Sequence, residues 1–271
     1  MNCPICEGNQ IEPMGEKPWM FCGTCGLGFL TEEDRAARVK ELANAGYGDA
    51  EAYAPITDAE HKARVAQRIL MAFNAFHGRG DVVDGPRGEM FEVGFGNGAI
   101  MDEFVRLKWR AMGVDQSNRA VTDAQARRLE VCTGHFDEPW HGDDATISWK
   151  QDHKHGAQSV MQVLKGSFDI VVGWDAFEHL YDLPQAFTLA RLLLKSGGLL
   201  AIHSPSFPKY SHNPKHPHFN DRSHLWHMSP LTIPYLCGKA GLVEQKLEIS
   251  ACWGNPGYSH PDNFCLWAVK P

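Results

Sequence analysis

The sequence predicts an α/β domain built on a mostly parallel sheet and preceded by a small metal-stapled head. Three observations carry that expectation. From residue 88 onward short apolar runs alternate with helix-like stretches, the first of those runs ends in a glycine-rich turn, and the first 25 residues hold two C-x2-C pairs. Strands that alternate with helices form parallel sheets covered on both faces. A chain of 271 residues accommodates one large domain, or a domain plus a small module, at roughly 150 residues per domain. Its 43% hydrophobic and 22% charged residues exclude disordered, collagen-like and coiled-coil chains.

The head comes first. Cys3-Pro4-Ile5-Cys6 is followed after fifteen residues by Cys22-Gly23-Thr24-Cys25-Gly26. Each knuckle brings two sulfurs together, and two knuckles close a tetrahedral thiolate shell that suits Zn(II). Cys3, Cys6, Cys22 and Cys25 leave no open position on such an ion, so the metal is expected to be structural, in place of the core that thirty residues cannot build. The other four cysteines are scattered, which fits an ordinary reduced chain better than a disulfide framework.

Two helix-like stretches follow, with capping pairs Thr31/Asp34 and Thr57/Glu60. The second places Val65, Ile69, Ala72, Phe73 and Phe76 on one face before Gly78. Tyr47 and Tyr53 lie in the linker between them. The α/β pattern then reads as strands at 90–93, 110–114 and 129–133, with helices at 99–108 and 118–128. After a polar stretch come a strand at 168–173, a helix at 183–194 and a strand at 199–203. A Pro- and His-rich loop leads to a helix at 230–240. Two last strands, near 242–249 and 263–269, have no long helix between them and are expected to pair antiparallel. The boundaries are therefore a ribbon at 1–30, a helical linker and cofactor cover at 31–80, and the α/β domain at 81–271, with substrate loops at 134–166 and 204–228.

Glu92-Val93-Gly94-Phe95-Gly96-Asn97-Gly98 leaves the first strand of that domain and opens a helix. Glycines there let backbone amides approach a ligand at a helix N-terminus. Gly94-x-Gly96-x-x-Ala99 also satisfies a dinucleotide fingerprint. Asp115 closes the second strand, where a carboxylate accepts hydrogen bonds from ribose hydroxyls in either class of site. Glu92 weighs between them: an anion beside the glycines repels a pyrophosphate and pairs with an amino-acid ammonium. A ligand with a ribose and an amino-acid tail fits best, and S-adenosylmethionine is one.

Further motifs follow in order: Gly113-Val114-Asp115, Phe168-Asp169-Ile170-Val171-Val172, Glu178-His179-Leu180, Leu194-Lys195-Ser196-Gly197-Gly198, His224-Leu225-Trp226-His227-Met228-Ser229 and Ala240-Gly241-Leu242. With the glycine loop and the cysteine head, they make the chain resemble the class I S-adenosylmethionine-dependent methyltransferases, in the small-molecule and glycan-modifying branch that begins with a C-x2-C...C-x2-C-G head. The resemblance covers nearly the whole chain. It implies a Rossmann-like seven-stranded sheet with an antiparallel last strand. It also implies cofactor contacts from Glu92, Gly94, Phe95, Gly96, Gly98, Asp115, Gln116, Phe136 and Asp175, with Tyr53 in the linker that folds over the cofactor. Two departures are the expanded loop at 135–165, which bears on the adenine contact at Phe136 or Asp137, and the dense His and Pro of 205–220.

Methyl transfer from a sulfonium needs an aligned acceptor and, for a hydroxyl, a base. His179, next to Glu178, follows the fourth parallel strand at the carboxyl edge where open sheets place their sites. Its neutral-range pKa makes it the expected base, with His224 the next candidate and Glu178 beside it. His203, His212, His216, His218, His224 and His227 with Asp221 also offer ligands for a second ion. Trp140, Trp149, Trp174 and Trp226 can stack on a flat or sugar acceptor.

The expected activity is O-methylation of a sugar or other small metabolite. The alternatives are sugar C-methylation, ribosomal RNA methylation and NAD-type dehydrogenation. A formal net charge of −7 argues against nucleic acid as partner. No run approaches the roughly 18 apolar residues that span a bilayer, and Met1-Asn2-Cys3-Pro4 starts no signal segment, so a cytoplasmic location is expected.

Overall fold

The computed structural model describes residues 1–14, 18–44, 59–80, 82–85, 87–136, 164–207, 221–249 and 263–271. The expectations for Tyr47, Tyr53, Thr57, Asp137, Trp140, Trp149, His212, His216 and His218 lie outside the described residues.

The head folds as three short antiparallel strands, β1 (Ile11–Pro13), β2 (Trp19–Cys22) and β3 (Gly28–Leu30). Helix α1 (Glu32–Asn44) begins as its sequence requires: the Thr31 hydroxyl accepts from the Asp34 amide at 3.1 Å and donates to the Asp34 carboxylate at 2.6 Å. None of its residues is buried, and its anchors are arginines. Arg35 donates to the Leu30 carbonyl and lies over the Trp226 ring. Helix α2 (Ala59–Phe76) buries Val65, Ala66, Ile69, Leu70 and Phe73, the single stripe that a 3.6-residue period places together.

The large sheet is built from β4 (Glu89–Val93), β5 (Arg110–Asp115), β6 (Glu130–Thr133), β7 (Phe168–Trp174), β8 (Leu194–Pro205), β10 (Val243–Ile249) and β11 (Asn263–Val269). The two-residue strand β9 (Trp226–His227) is the exception and joins the head instead. Strand order is β10-β11-β8-β7-β4-β5-β6. Strands β4 to β8 run parallel, whereas β11 is antiparallel to both neighbours. This is the seven-stranded sheet with an antiparallel last strand. Helices α3 (Ala99–Arg106), α4 (Asn118–Ala126), α5 (Leu183–Leu193) and α6 (Ile233–Ala240) cover it.

Side chains alternate across each strand, and the core divides accordingly. Met90, Ile170, Val172 and Leu199 face α2, α3 and α4, while Phe91, Val93, Val171 and Leu200 face α5, α6 and the head. Cys3, Ile5, Trp19, Leu27 and Phe29 of the head belong to that second cluster, so the head shares its core with the α/β domain. Among the described residues no helix is long and apolar enough to cross a membrane.

Two local differences from the sequence reading have a clear cause. Helix α6 starts at Ile233, three residues after Pro230. Ser229, just before Pro230, sends its hydroxyl to the Cys25 carbonyl at 2.9 Å. Strand β8 begins at Leu194 and not at Leu199, because its glycines pair outward: the Gly197 amide donates to the Lys270 carbonyl, and the Lys270 amide to the Gly198 carbonyl.

Candidate active site

Parallel strands end on one edge of the sheet, and the chemistry-bearing residues gather there. Between β4 and α3 the backbone turns through Gly94, Gly96 and Gly98, all at positive φ. Gly96 is favoured by its backbone and opens onto free space. Its φ of 54° is strained for other residues, and a Cβ there would stand in open space with nothing within 4 Å. That space lies beside the N-terminus of α3, where unpaired amides favour a ligand. The Gly96 amide donates to Asp115 Oδ2 and the Ser117 amide to Oδ1, both at 2.8 Å. Each oxygen of Asp115 keeps a lone pair for a further donor, and burial raises its pKa.

Glu92 is 2% exposed, and its Oε2 has no hydrogen-bond partner among the described residues. Burial pushes its carboxyl up to about 8, opposed in part by Lys62 of α2. An orphaned buried carboxyl oxygen is costly, and a cationic ligand relieves it. Phe95 and Phe136 send their rings into the core. Phe95 is 4% exposed, and Phe136 packs against Phe91 and Phe177 at centroid distances of 6.2 and 6.4 Å. Gln116 is exposed directly after Asp115.

At the end of β7, Asp175 adopts φ 52°, a left-handed conformation that a non-glycine residue keeps only when held. His203 at the end of β8 holds it. His203 Nδ1 donates to the Asp175 carboxylate at 2.6 Å, and the Asp175 amide donates to the His203 carbonyl at 3.1 Å. The Asp175 side chain is 51% exposed, so its partial desolvation is outweighed by the charge and hydrogen bond of His203, which hold its carboxyl well below the usual range. The His203 ring stacks on Trp174 at 4.5 Å and meets the Asn263 amide nitrogen at 3.3 Å.

A single 3-10 turn, Phe177–His179, follows. Glu178 is buried, accepts from the Ser204 hydroxyl at 3.0 Å, and has its pKa raised by burial and by the Asp175 charge. His179 Nδ1 lies 3.0 Å from the Ser223 carbonyl. A carbonyl only accepts, so Nδ1 carries the proton and Nε2 is the basic nitrogen. Burial lowers the His179 pKa against the opposing pull of that hydrogen bond and of Asp221 and Asp175, which keeps the ring neutral. His224 stands edge-on to it at 4.8 Å, with its Nε2 3.7 Å from Asp221, beyond hydrogen-bonding distance. Glu178, His179 and His224 each bring one ligand atom within 4.8 Å of the others.

The profile of the methyltransferase domain family matches residues 59–245, more than half of the sequence and all of the site just described except Asn263. The chain belongs to that family. Its sheet is that of the class I S-adenosylmethionine-dependent methyltransferases. A 1,6-didemethyltoxoflavin N1-methyltransferase from Burkholderia thailandensis, solved with its substrate and S-adenosylhomocysteine, superposes with a TM-score of 0.55 at 12% identity, covering 96% of this chain and 99% of that one. An S-adenosylmethionine-dependent methyltransferase from Archaeoglobus fulgidus gives 0.52 at 14% identity, covering 77% and 94%. At such identities the likeness establishes the fold. A curated relative, the ubiquinone biosynthesis O-methyltransferase of Albidiferax ferrireducens, is 26% identical over 110 residues, which span 41% of this chain and 38% of the relative.

The methyltransferase cofactor fits the residues present. The orphaned Glu92 carboxyl, the open space before Gly96 and the free lone pairs of Asp115 are the donor-seeking set that an ammonium and a ribose require. In the head, Cys3 and Cys25 sulfurs stand 3.7 Å apart and Cys6 and Cys22 sulfurs 3.5 Å apart. Tetrahedral zinc with bonds of about 2.3 Å sets its sulfurs about 3.8 Å apart, so the cluster is compatible with a structural ion. Sequence reasoning had no means to find Lys62, Ser204, Ser223 or Asn263. The Trp174-to-His203 register is the one available signal, since paired strand ends put their last residues side by side.

Proposed function

We propose that this methyltransferase transfers the methyl group of S-adenosylmethionine to a hydroxyl of a small molecule, a sugar or another small metabolite, with His179 as general base. One observation carries the reading: the Ser223 carbonyl fixes the His179 tautomer, so a neutral ring offers its Nε2 at the carboxyl edge of the sheet. Transfer from a sulfonium supplies its own leaving group, and what remains for the protein is alignment and removal of the hydroxyl proton. His224 borders the same space and is the second candidate. The acidic net charge favours a small acceptor over a polyanion. The relative named for O-methylation supports a hydroxyl acceptor, and the structural neighbour solved with 1,6-didemethyltoxoflavin bound supports a small one.

The test is turnover of labelled cofactor across a panel of small hydroxylated acceptors, wild type against His179→Gln. General-base loss costs roughly 100- to 10,000-fold in rate, while affinity for S-adenosylhomocysteine stays unchanged. A second reading comes from the clustering of Glu178, His179 and His224 within 4.8 Å: a divalent cation there would orient a chelating acceptor. Turnover that depends on added divalent metal, with the cysteine site still loaded, would favour the cation over the base.

A further inference from the structure

The segment that carries His224 is held from outside the α/β domain. Residues 221–229 run between the 3-10 turn and the head, and both sides grip them. On the inner side the Leu225 amide donates to the Glu178 carbonyl at 2.8 Å and Trp226 Nε1 to the Leu180 carbonyl at 2.6 Å, while the Ser223 carbonyl accepts from His179. On the outer side β9 pairs with β3, Gly28 against His227 and Phe29 against Trp226. His227 packs on Trp19 at 4.0 Å.

The decisive contact is with one of the four clustered head cysteines. The Cys25 carbonyl accepts two hydrogen bonds, from Ser229 Oγ at 2.9 Å and Thr232 Oγ1 at 3.0 Å. Both hydroxyls are fully buried. Gly26 follows at φ 69°, and a Cβ there would meet Ser229 Oγ at 2.6 Å, so the knuckle turn and the strap touch backbone to side chain. Helix α1 adds a clasp, with Arg38 donating to the Arg222 carbonyl and Glu41 paired with Arg222.

We infer that the four-cysteine head is a positioning element of the acceptor side of the active site: through Ser229 and Thr232 on the Cys25 carbonyl it holds the 221–229 strap, and with it the Ser223 carbonyl and the His224 ring, against His179. The physical reason is geometric. A Cys25 thiolate tied to the other three restrains the carbonyl of the same residue, and buried hydroxyls whose acceptor shifts lose the contact that orders the strap. The cofactor loop at Gly94 to Gly98 and Asp115 shares none of these bonds, so releasing the strap alone should leave ligand affinity there unchanged. The consequence for turnover rests on His179 being the base; the structural coupling does not.

The test compares three forms of the full chain by hydrogen exchange, histidine 15N NMR, metal analysis and S-adenosylhomocysteine calorimetry: metal-loaded wild type, wild type treated with a strong zinc chelator, and a Ser229→Ala/Thr232→Val variant that keeps all four cysteines. The variant should retain its zinc and its S-adenosylhomocysteine affinity. Its amides in 221–229 should exchange at least about tenfold faster, and His179 should lose its single Nδ1–H tautomer. Chelated wild type should show the same two changes. Wild-type exchange in the strap and a wild-type His179 signal in the zinc-loaded variant would overturn the inference. Parallel loss of S-adenosylhomocysteine affinity in that variant would also overturn it, because the head would then be a general stabiliser. If His179→Gln turns over normally, the base assignment falls while the exchange result still decides the coupling.

Discussion

Glu92 should make cofactor binding a proton-releasing event. In the free protein its carboxyl, buried beside the glycine loop with one oxygen unpartnered, titrates at about 8. At pH 7 such a group is protonated in about nine molecules of ten, and ionising it costs about 1.4 kcal/mol. An amino-acid ammonium placed against it favours the anion, so binding at pH 7 should expel close to one proton. Affinity for S-adenosylhomocysteine should then rise about tenfold per pH unit from pH 6 toward 8 and level off above. The sign follows from the direction of the shift: a raised carboxyl pKa means the uncharged form dominates below it, and the charged form that the ligand selects becomes free of cost only above it. Calorimetry at pH 7 in phosphate and in Tris reads the proton directly, as an enthalpy difference between buffers of unlike ionisation heat. Glu92→Gln, of nearly equal volume, should bind more weakly at pH 8 and show neither the buffer difference nor the slope. Equal slopes in wild type and variant, or buffer-independent heats in both, would refute the reasoning.

Asp115→Ala should weaken S-adenosylhomocysteine by roughly 2 to 4 kcal/mol, as charge-assisted hydrogen bonds to the ribose are lost and the Gly96 and Ser117 amides lose their acceptor; unchanged calorimetric affinity would exclude it from the site. Cys22→Ala should abolish stoichiometric zinc in metal analysis of purified protein and lower thermal stability, and a freshly prepared wild type with disulfides and no metal would contradict the structural-ion assignment. At saturating cofactor, where the Glu92 titration no longer limits binding, the acid limb of the turnover profile should fall below the ordinary histidine value of about 6.5, because burial depresses the His179 pKa and a base works only when unprotonated. A limb at or above that value would point to a different group.

Much of this protein is written locally in the chain. The short, near-continuous apolar runs of β4, β5 and β7, the stripe on α2 and the Thr31/Asp34 box depend on neighbours within a few residues, and each element stands within a few residues of where its pattern places it. The cysteine spacing is equally self-contained, since two knuckles must close on one centre. The glycine loop is legible because positive φ and a helix start are properties of the loop itself. The partners of the polar side chains are not local. A serine before a helix can cap the next turn or reach a distant carbonyl, and Ser229 reaches Cys25 because the head is packed against it. Phe136 is as able to cover a base as to fill a core, and the space between Phe91 and Phe177 decides for the core. The residues Trp226 and His227 sit in a Pro- and His-rich stretch with no strand pattern of their own, and they pair with β3 because the open edge of the head lies alongside. Local propensity is set by the few bonds next to a residue. Which carbonyl a buried hydroxyl finds, which histidine meets which carboxylate and which edge a short segment completes depend on elements separated by as many as 207 positions, and only the packed sheet brings those together.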